Sequence, residues 1–207
     1  MLLQLVSLFS CGQETEAEEN KTVEYRGTIN VYNWGEYISD GSEDSLDVNA
    51  AFTEKTGIKV NYTTYASNED MYAKLKSGAT GYDVIIPSDY MIKRLLDEEM
   101  LEKLDYDNIP NFEYIDEMFY GPYYDPTNEY TVPYTYGMVG IIYNASRVSE
   151  EDIGSWDLMW NEKYKGDILQ YNNSRDAFGS AMYRLGIDVN TTDEGEWRRA
   201  LSALSEQ

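Results

Sequence analysis

The chain has no histidine, a single cysteine and only five prolines, and its 16 lysines and arginines are outnumbered by 38 aspartates and glutamates. Without histidine, the commonest general base and the commonest metal ligand are both missing. One cysteine, Cys11, excludes a disulfide framework and a thiolate metal site. A formal charge of −22 leaves no basic face for phosphate, so nucleic acid is excluded as a partner. No apolar run is long enough to span a bilayer as a helix. No G-x-S-x-G, P-loop or G-x-G-x-x-G is present, so the sequence calls for no nucleotide cofactor. Excess acid attracts cations, although it also serves simply to keep a protein soluble.

What is present begins with tyrosine, 20 residues of it. Tyrosine supplies stiff, amphipathic contact area and suits both binding surfaces and strands. The apolar opening MLLQLVSLFSCG ends in small residues, and its Leu8-Phe9-Ser10-Cys11 order resembles a bacterial lipoprotein signal, in which the cysteine becomes the lipidated first residue. No lysine or arginine precedes Lys21, so the basic start of such a signal is missing; a free buried cysteine is the other reading of Cys11. Residues 12–27 are polar and acidic and read as a disordered tether.

Beyond the tether the pattern is α/β. Strands are expected at 29–32, 58–65 and 82–86, alternating with helices at 45–56, 67–78 and 90–100. Ser67 with Asp70 approximates a capping box, and Gly57 and Gly78 are stop signals. That alternation predicts a parallel sheet covered by helices. Residues 105–131 lose periodicity. An extended segment at 132–144, a short helix at 155–160, a strand at 167–171 and helices at 174–185 and 192–206 then predict a second α/β unit from about residue 139. Trp156 and Trp160, four apart, read as packing. The last helix has no stop signal and the second unit has too few strands for a stable sheet, so the chain reads as a piece of a longer protein.

Ligands of open parallel sheets bind beyond the carboxyl ends of the strands. Three clusters fall there: Trp34, Glu36 and Tyr37 in VYNWGEYI, Ser88 and Tyr90 in PSDYM, and Asn173 and Asp176 in QYNNSRDAF. Ring faces attract cations, and a buried ammonium requires a carboxylate. Rings flanking a carboxylate therefore describe a receptor for a di- or polyamine. The competing reading is structural: a core tryptophan at 34, an N-cap at Ser88 and a helix-start acid at Asp89, where the helix dipole disfavours cations.

At these residues the sequence becomes similar to a known family. YNWGEYI, FTEKTGIKVNY, SNEDMYAKLKSG, YDVIIPSDYM, VPYTYGMVGIIYN and SWDLMWNEKYKGDIL follow in order, and together they resemble the spermidine/putrescine-binding proteins of bacterial polyamine ABC importers across about residues 28–205. The resemblance implies a periplasmic-binding-protein fold, two α/β lobes joined by a hinge, with residues 28–138 forming the first lobe and the crossing and 139–207 an incomplete second lobe. It implies ligand contacts at Trp34, Glu36, Tyr37, Ser88, Tyr90 and Asp176, with Asn173 standing where an aspartate is usual and Arg175 in a structural role. It implies a polyamine ligand, an ABC permease as membrane partner, an extracytoplasmic location and no catalysis. A same-fold receptor for another solute and a ligand-sensing lipoprotein are the alternatives; an enzyme using Glu36 and Asp176 as acid and base lacks any supporting motif.

Overall fold

The computed structural model describes residues 24–78 and 81–207. The signal-like segment with Cys11, and the tether up to residue 23, lie outside the described residues. Two compact units divide between Glu98 and Glu99.

The first unit is a three-stranded parallel sheet in the order β2-β1-β3, with β1 Gly27–Trp34, β2 Ile58–Tyr65 and β3 Val84–Ile85. The third strand is shorter than the apolar run 82–86 suggests, because only Val84 and Ile85 find partners, at Val31 and Tyr32. Helices α1 Val48–Thr56, α2 Asn68–Lys76 and α3 Asp89–Asp97 follow the three strands in turn. Helix α1 starts three residues later than expected because Asp47 caps it, its side chain accepting from the Ala50 amide. Gly57 ends it at φ 74°, and a Cβ there would lie 2.4 Å from the Glu24 carbonyl, so conformation and space both require glycine. Ser67 caps α2 by accepting from the Asp70 amide, as the sequence indicates. Met71, Met91 and Leu95 are fully buried and form the apolar interior of the helices; each such side chain contributes roughly 1.5–3 kcal/mol. The chain moves from β1 to β2 in one direction and from β2 past β1 to β3 in the other. With right-handed crossovers this puts α1 and α2 on opposite faces and makes the carboxyl ends of β1 and β3 a topological switch point.

The second unit holds 3-10 turns and two helices, α4 Ser174–Leu185 and α5 Glu194–Glu206. Ala181, Met182, Ile187, Ala200 and Ala203 form its core, with Trp160, Phe178, Leu185, Trp197 and Leu204 packed around it. Trp160 also donates its indole N–H to the Ala203 carbonyl at 2.6 Å, and Trp156 stacks on Tyr183, so both are packing residues. The aperiodic segment is ordered around Asp125, only 2% exposed, which accepts from the amides of Glu129, Tyr130 and Thr131 and from the Thr131 hydroxyl at 2.9–3.1 Å.

The strand expected at 167–171 does not form, and the extended segment 132–144 joins no sheet among the described residues. A strand exists only when a neighbour takes its amides and carbonyls, and among the described residues no segment pairs with either. Their apolar side chains stand in solvent, Ile142 at 99% and Leu169 at 93% exposure.

Candidate functional site

Strand β1 delivers the first cluster. Side chains two apart share a face of a strand, so Tyr32 and Trp34 emerge together, and the parallel register sets Trp34 beside Tyr65 of β2. The result is a continuous file of rings. Tyr82 stacks on Tyr32 at 4.4 Å, Tyr32 meets Tyr65 edge-on at 4.9 Å, Tyr65 meets Trp34 at 4.7 Å, and Trp34 meets Tyr37 at 6.0 Å. Burial is deepest at Tyr32 and Tyr65 and falls outward both ways, to half-buried Tyr82 at one end and through half-buried Trp34 to exposed Tyr37 at the other. Burial also pushes the Tyr65 hydroxyl well above the ordinary phenol range, and that hydroxyl donates to the Ile86 carbonyl at 2.5 Å. Asn33, buried on the other face, turns its side-chain oxygen onto the Trp34 amide at 2.7 Å and closes the strand exit. Glu36 follows on the exposed turn.

The ammonium of exposed Lys74 lies over the Tyr82 end of this file. Lys74 Nζ is 4.7 Å from the Tyr32 ring centroid and 5.2 Å from that of Tyr82. A hydrogen bond between Lys74 and Tyr82 holds the lysine pKa up and the Tyr82 pKa down. The ring file is thus competent to seat an amine cation.

The third strand and α3 deliver Ser88 and Tyr90, both half-buried. Ser88 occupies the N-cap position but its side chain makes no cap bond; its hydroxyl instead accepts from Asn68 Nδ2 at 3.0 Å. Asn68 is fully buried. Its Oδ1 accepts from the Ser88 amide at 3.2 Å, and Nδ2 also donates to the Tyr90 hydroxyl at 2.9 Å. Tyr90 donates onward to Glu69 Oε1 at 3.1 Å. Asp89 accepts from the Tyr90 amide at 2.7 Å, a local helix-start role. The first unit therefore brings together Trp34 with Tyr37, and Ser88 with Tyr90. Tyr65 touches Trp34 and bonds the carbonyl of Ile86, two residues before Ser88.

In the second unit Asn173 is the N-cap of α4, its Oδ1 accepting from the Arg175 amide at 3.0 Å. Asp176 sits in the first turn of the same helix, half-buried, and no described residue donates a hydrogen bond to it. Burial pushes its carboxyl up from the ordinary value of 3.8. The Arg175 guanidinium lies 5.9 Å from the Trp197 ring centroid. Among the described residues no three acidic or cysteine side chains gather as a metal-binding group.

Sequence reasoning missed Tyr65, Asn68 and Glu69. The last two lie in the SNED stretch, which reads as a helix cap and nothing more. The recoverable signal was position: they follow the carboxyl end of β2, as Trp34 follows β1 and Ser88 follows β3.

Comparison with known proteins agrees with this architecture. The profile of a family described as bacterial extracellular solute-binding protein matches residues 48–207. The spermidine/putrescine-binding periplasmic protein of Escherichia coli is 38% identical over 178 residues, covering 86% of this chain and 49% of the relative. A spermidine/putrescine ABC transporter substrate-binding protein from Streptococcus pneumoniae, solved in complex with calcium and HEPES, superposes with a TM-score of 0.67 at 37% identity, over 87% of this chain and 54% of its own. A putative spermidine/putrescine ABC transporter from Listeria monocytogenes superposes with a TM-score of 0.76 at 33% identity, over 86% and 55%. The chain spans about half the length of the curated relatives it matches.

Proposed function

Because the chain belongs to the bacterial extracellular solute-binding protein family, we propose that it is a polyamine receptor working outside the cytoplasm, which takes up spermidine or putrescine and presents it to an ABC permease. The observation that carries this reading is the file of rings ending in Trp34 and Tyr37, with Glu36 between them on the exposed turn, at the switch point of the sheet. Ring faces and a carboxylate suit an ammonium head group, and the rings shape a slot for the methylene chain. Asp176, half-buried without a donor among the described residues, is the second proposed counter-charge. Ser88 and Tyr90 supply hydroxyl contacts. Asn173, whose side-chain oxygen accepts from the Arg175 amide, keeps a second lone pair able to accept an amine N–H and is a further proposed contact.

The role is binding and delivery, without chemical conversion. Lipidation at Cys11 would tether the receptor to the membrane, which is supported by the order Leu8-Phe9-Ser10-Cys11 and the acidic stretch after it. Names of the relatives above support the ligand class. Calorimetric titration of the full-length protein with spermidine, putrescine and arginine tests the reading. Saturable binding of a polyamine with no binding of arginine is expected. A folded protein that binds none of the polyamines would overturn it.

A further inference from the structure

The amide of Asn68 can point in only one direction, and that direction propagates to the ligand face. The Ser88 backbone N–H must donate, and it donates to Asn68 Oδ1 at 3.2 Å. This forces Nδ2 toward Ser88 Oγ at 3.0 Å and the Tyr90 hydroxyl at 2.9 Å. Both hydrogens of the NH2 are then committed, and both hydroxyl oxygens act as acceptors toward it. Tyr90 has one proton, and Glu69 Oε1 takes it at 3.1 Å. The phenol thus gives its proton to a carboxylate and receives one from an amide, so any further polar partner of its oxygen has to be a donor.

We propose that Asn68 and Glu69 are positioning residues that fix Tyr90 as a hydrogen-bond acceptor, so that this edge of the sheet admits donors such as an ammonium N–H and rejects acceptors that carry no proton, such as a carboxylate. The inference rests on the polyamine reading and deepens it. It converts a residue that could face either way into a polarity filter, and the backbone sets the polarity. Three facts make Asn68 more than a space-filler. It is fully buried, its three hydrogen bonds all go to Ser88 and Tyr90, and it comes from a different helix from the pair it holds. Glu69 has a second effect. The N-termini of α2 and α3 both follow strand carboxyl ends, and their dipoles oppose a cation. A full carboxylate charge in the first turn of α2 outweighs the half-charge of one helix end.

The test is a double-variant cycle in the full-length protein, read as spermidine affinity by calorimetry and as melting temperature. Glu69→Gln, an exposed change, is expected to leave the melt unchanged and weaken spermidine roughly 5- to 10-fold, as for a charge-assisted hydrogen bond. Tyr90→Phe is expected to weaken it similarly, and Glu69→Gln made in the Tyr90→Phe background to cost clearly less than in the parent, the remainder being its charge at the start of α2. Asn68→Asp keeps the acceptor for the Ser88 amide but takes the Tyr90 proton away from Glu69, and is expected to make the two remaining changes additive. Full additivity of Glu69→Gln and Tyr90→Phe with Asn68 intact would overturn the inference while leaving the polyamine reading in place. So would an unchanged affinity in Glu69→Gln. Absence of spermidine binding by the parent protein would overturn both.

Discussion

Trp34 and Tyr65 sit at the same level of adjacent parallel strands with ring centroids 4.7 Å apart. Tyr65 is buried and its hydroxyl is tied to the Ile86 carbonyl, so the indole rests on a ring that cannot move. A half-buried tryptophan at a strand end is often core; here its supports are themselves fixed, and its neighbour on the outer side is solvent-exposed Tyr37.

Trp34→Ala should therefore cost binding more than folding. A desolvated ring–cation contact is worth about 2 kcal/mol, or about 30-fold in affinity. The expected outcome is a loss of that order in spermidine affinity by calorimetry. Tyr65→Phe keeps the ring but drops the bond to Ile86, and should cost ~1 kcal/mol of stability in a urea titration with a smaller change in affinity.

Asp176 predicts a trade between stability and function. Its folded-state pKa is raised by burial. A raised carboxylate disfavours folding at pH above that value, and the penalty fades as pH falls through it. Asp176→Asn should therefore raise the urea midpoint at pH 7, with the gain shrinking toward pH 4. The same change removes a counter-charge and should weaken spermidine by roughly tenfold or more. A variant that gains neither stability nor loses affinity would remove Asp176 from the proposed site.

Asp125 predicts the opposite balance, a large structural cost with no direct part in binding. Asp125→Ala leaves three amides and a hydroxyl without their acceptor. Hydrogen bonds to a charged acceptor contribute about 1.5–3 kcal/mol each, less where the freed donor reaches water, so a loss of a few kcal/mol in chemical denaturation is expected.

Glu98 supplies an acid-range marker. Lys76, Tyr72 and Arg94 donate to it and hold its pKa down at about 2, against an ordinary 4.5. A depressed carboxylate contributes stability that is present above the unfolded value and is lost as pH falls through the folded one. Comparing Glu98→Gln with the parent by denaturation between pH 6 and 2 should show a stability difference constant above about pH 4.5 and vanishing toward pH 2.

The strand–helix alternation of the first unit was legible because local signals and tertiary structure agree there. Ser67 caps the helix it precedes, and Gly57 stops the helix it follows. Ser88 shows where this breaks down: it occupies the cap position, yet its hydroxyl is claimed by Asn68, twenty residues away in sequence. Asp125 was invisible for a related reason, since an acid that organises an irregular loop by accepting from its amides leaves no period. The run 167–171 has the composition of a strand, but no strand among the described residues pairs with it. Of the candidate site, Trp34, Glu36, Tyr37, Ser88 and Tyr90 could be placed at strand ends from sequence alone. The ring behind Trp34 comes from β2 and the hydrogen bonds that orient Ser88 and Tyr90 come from α2, and only the structure shows that.

The most direct test of an ammonium site at Trp34 is fluorine NMR of the full-length protein with 5-fluorotryptophan, titrated with spermidine. The account predicts that the Trp34 resonance shifts and saturates with the calorimetric affinity, while Trp156 and Trp160, held by Tyr183 and by the Ala203 carbonyl, stay in place. Saturable spermidine binding with an unmoved Trp34 signal would contradict it and return the indole to the core.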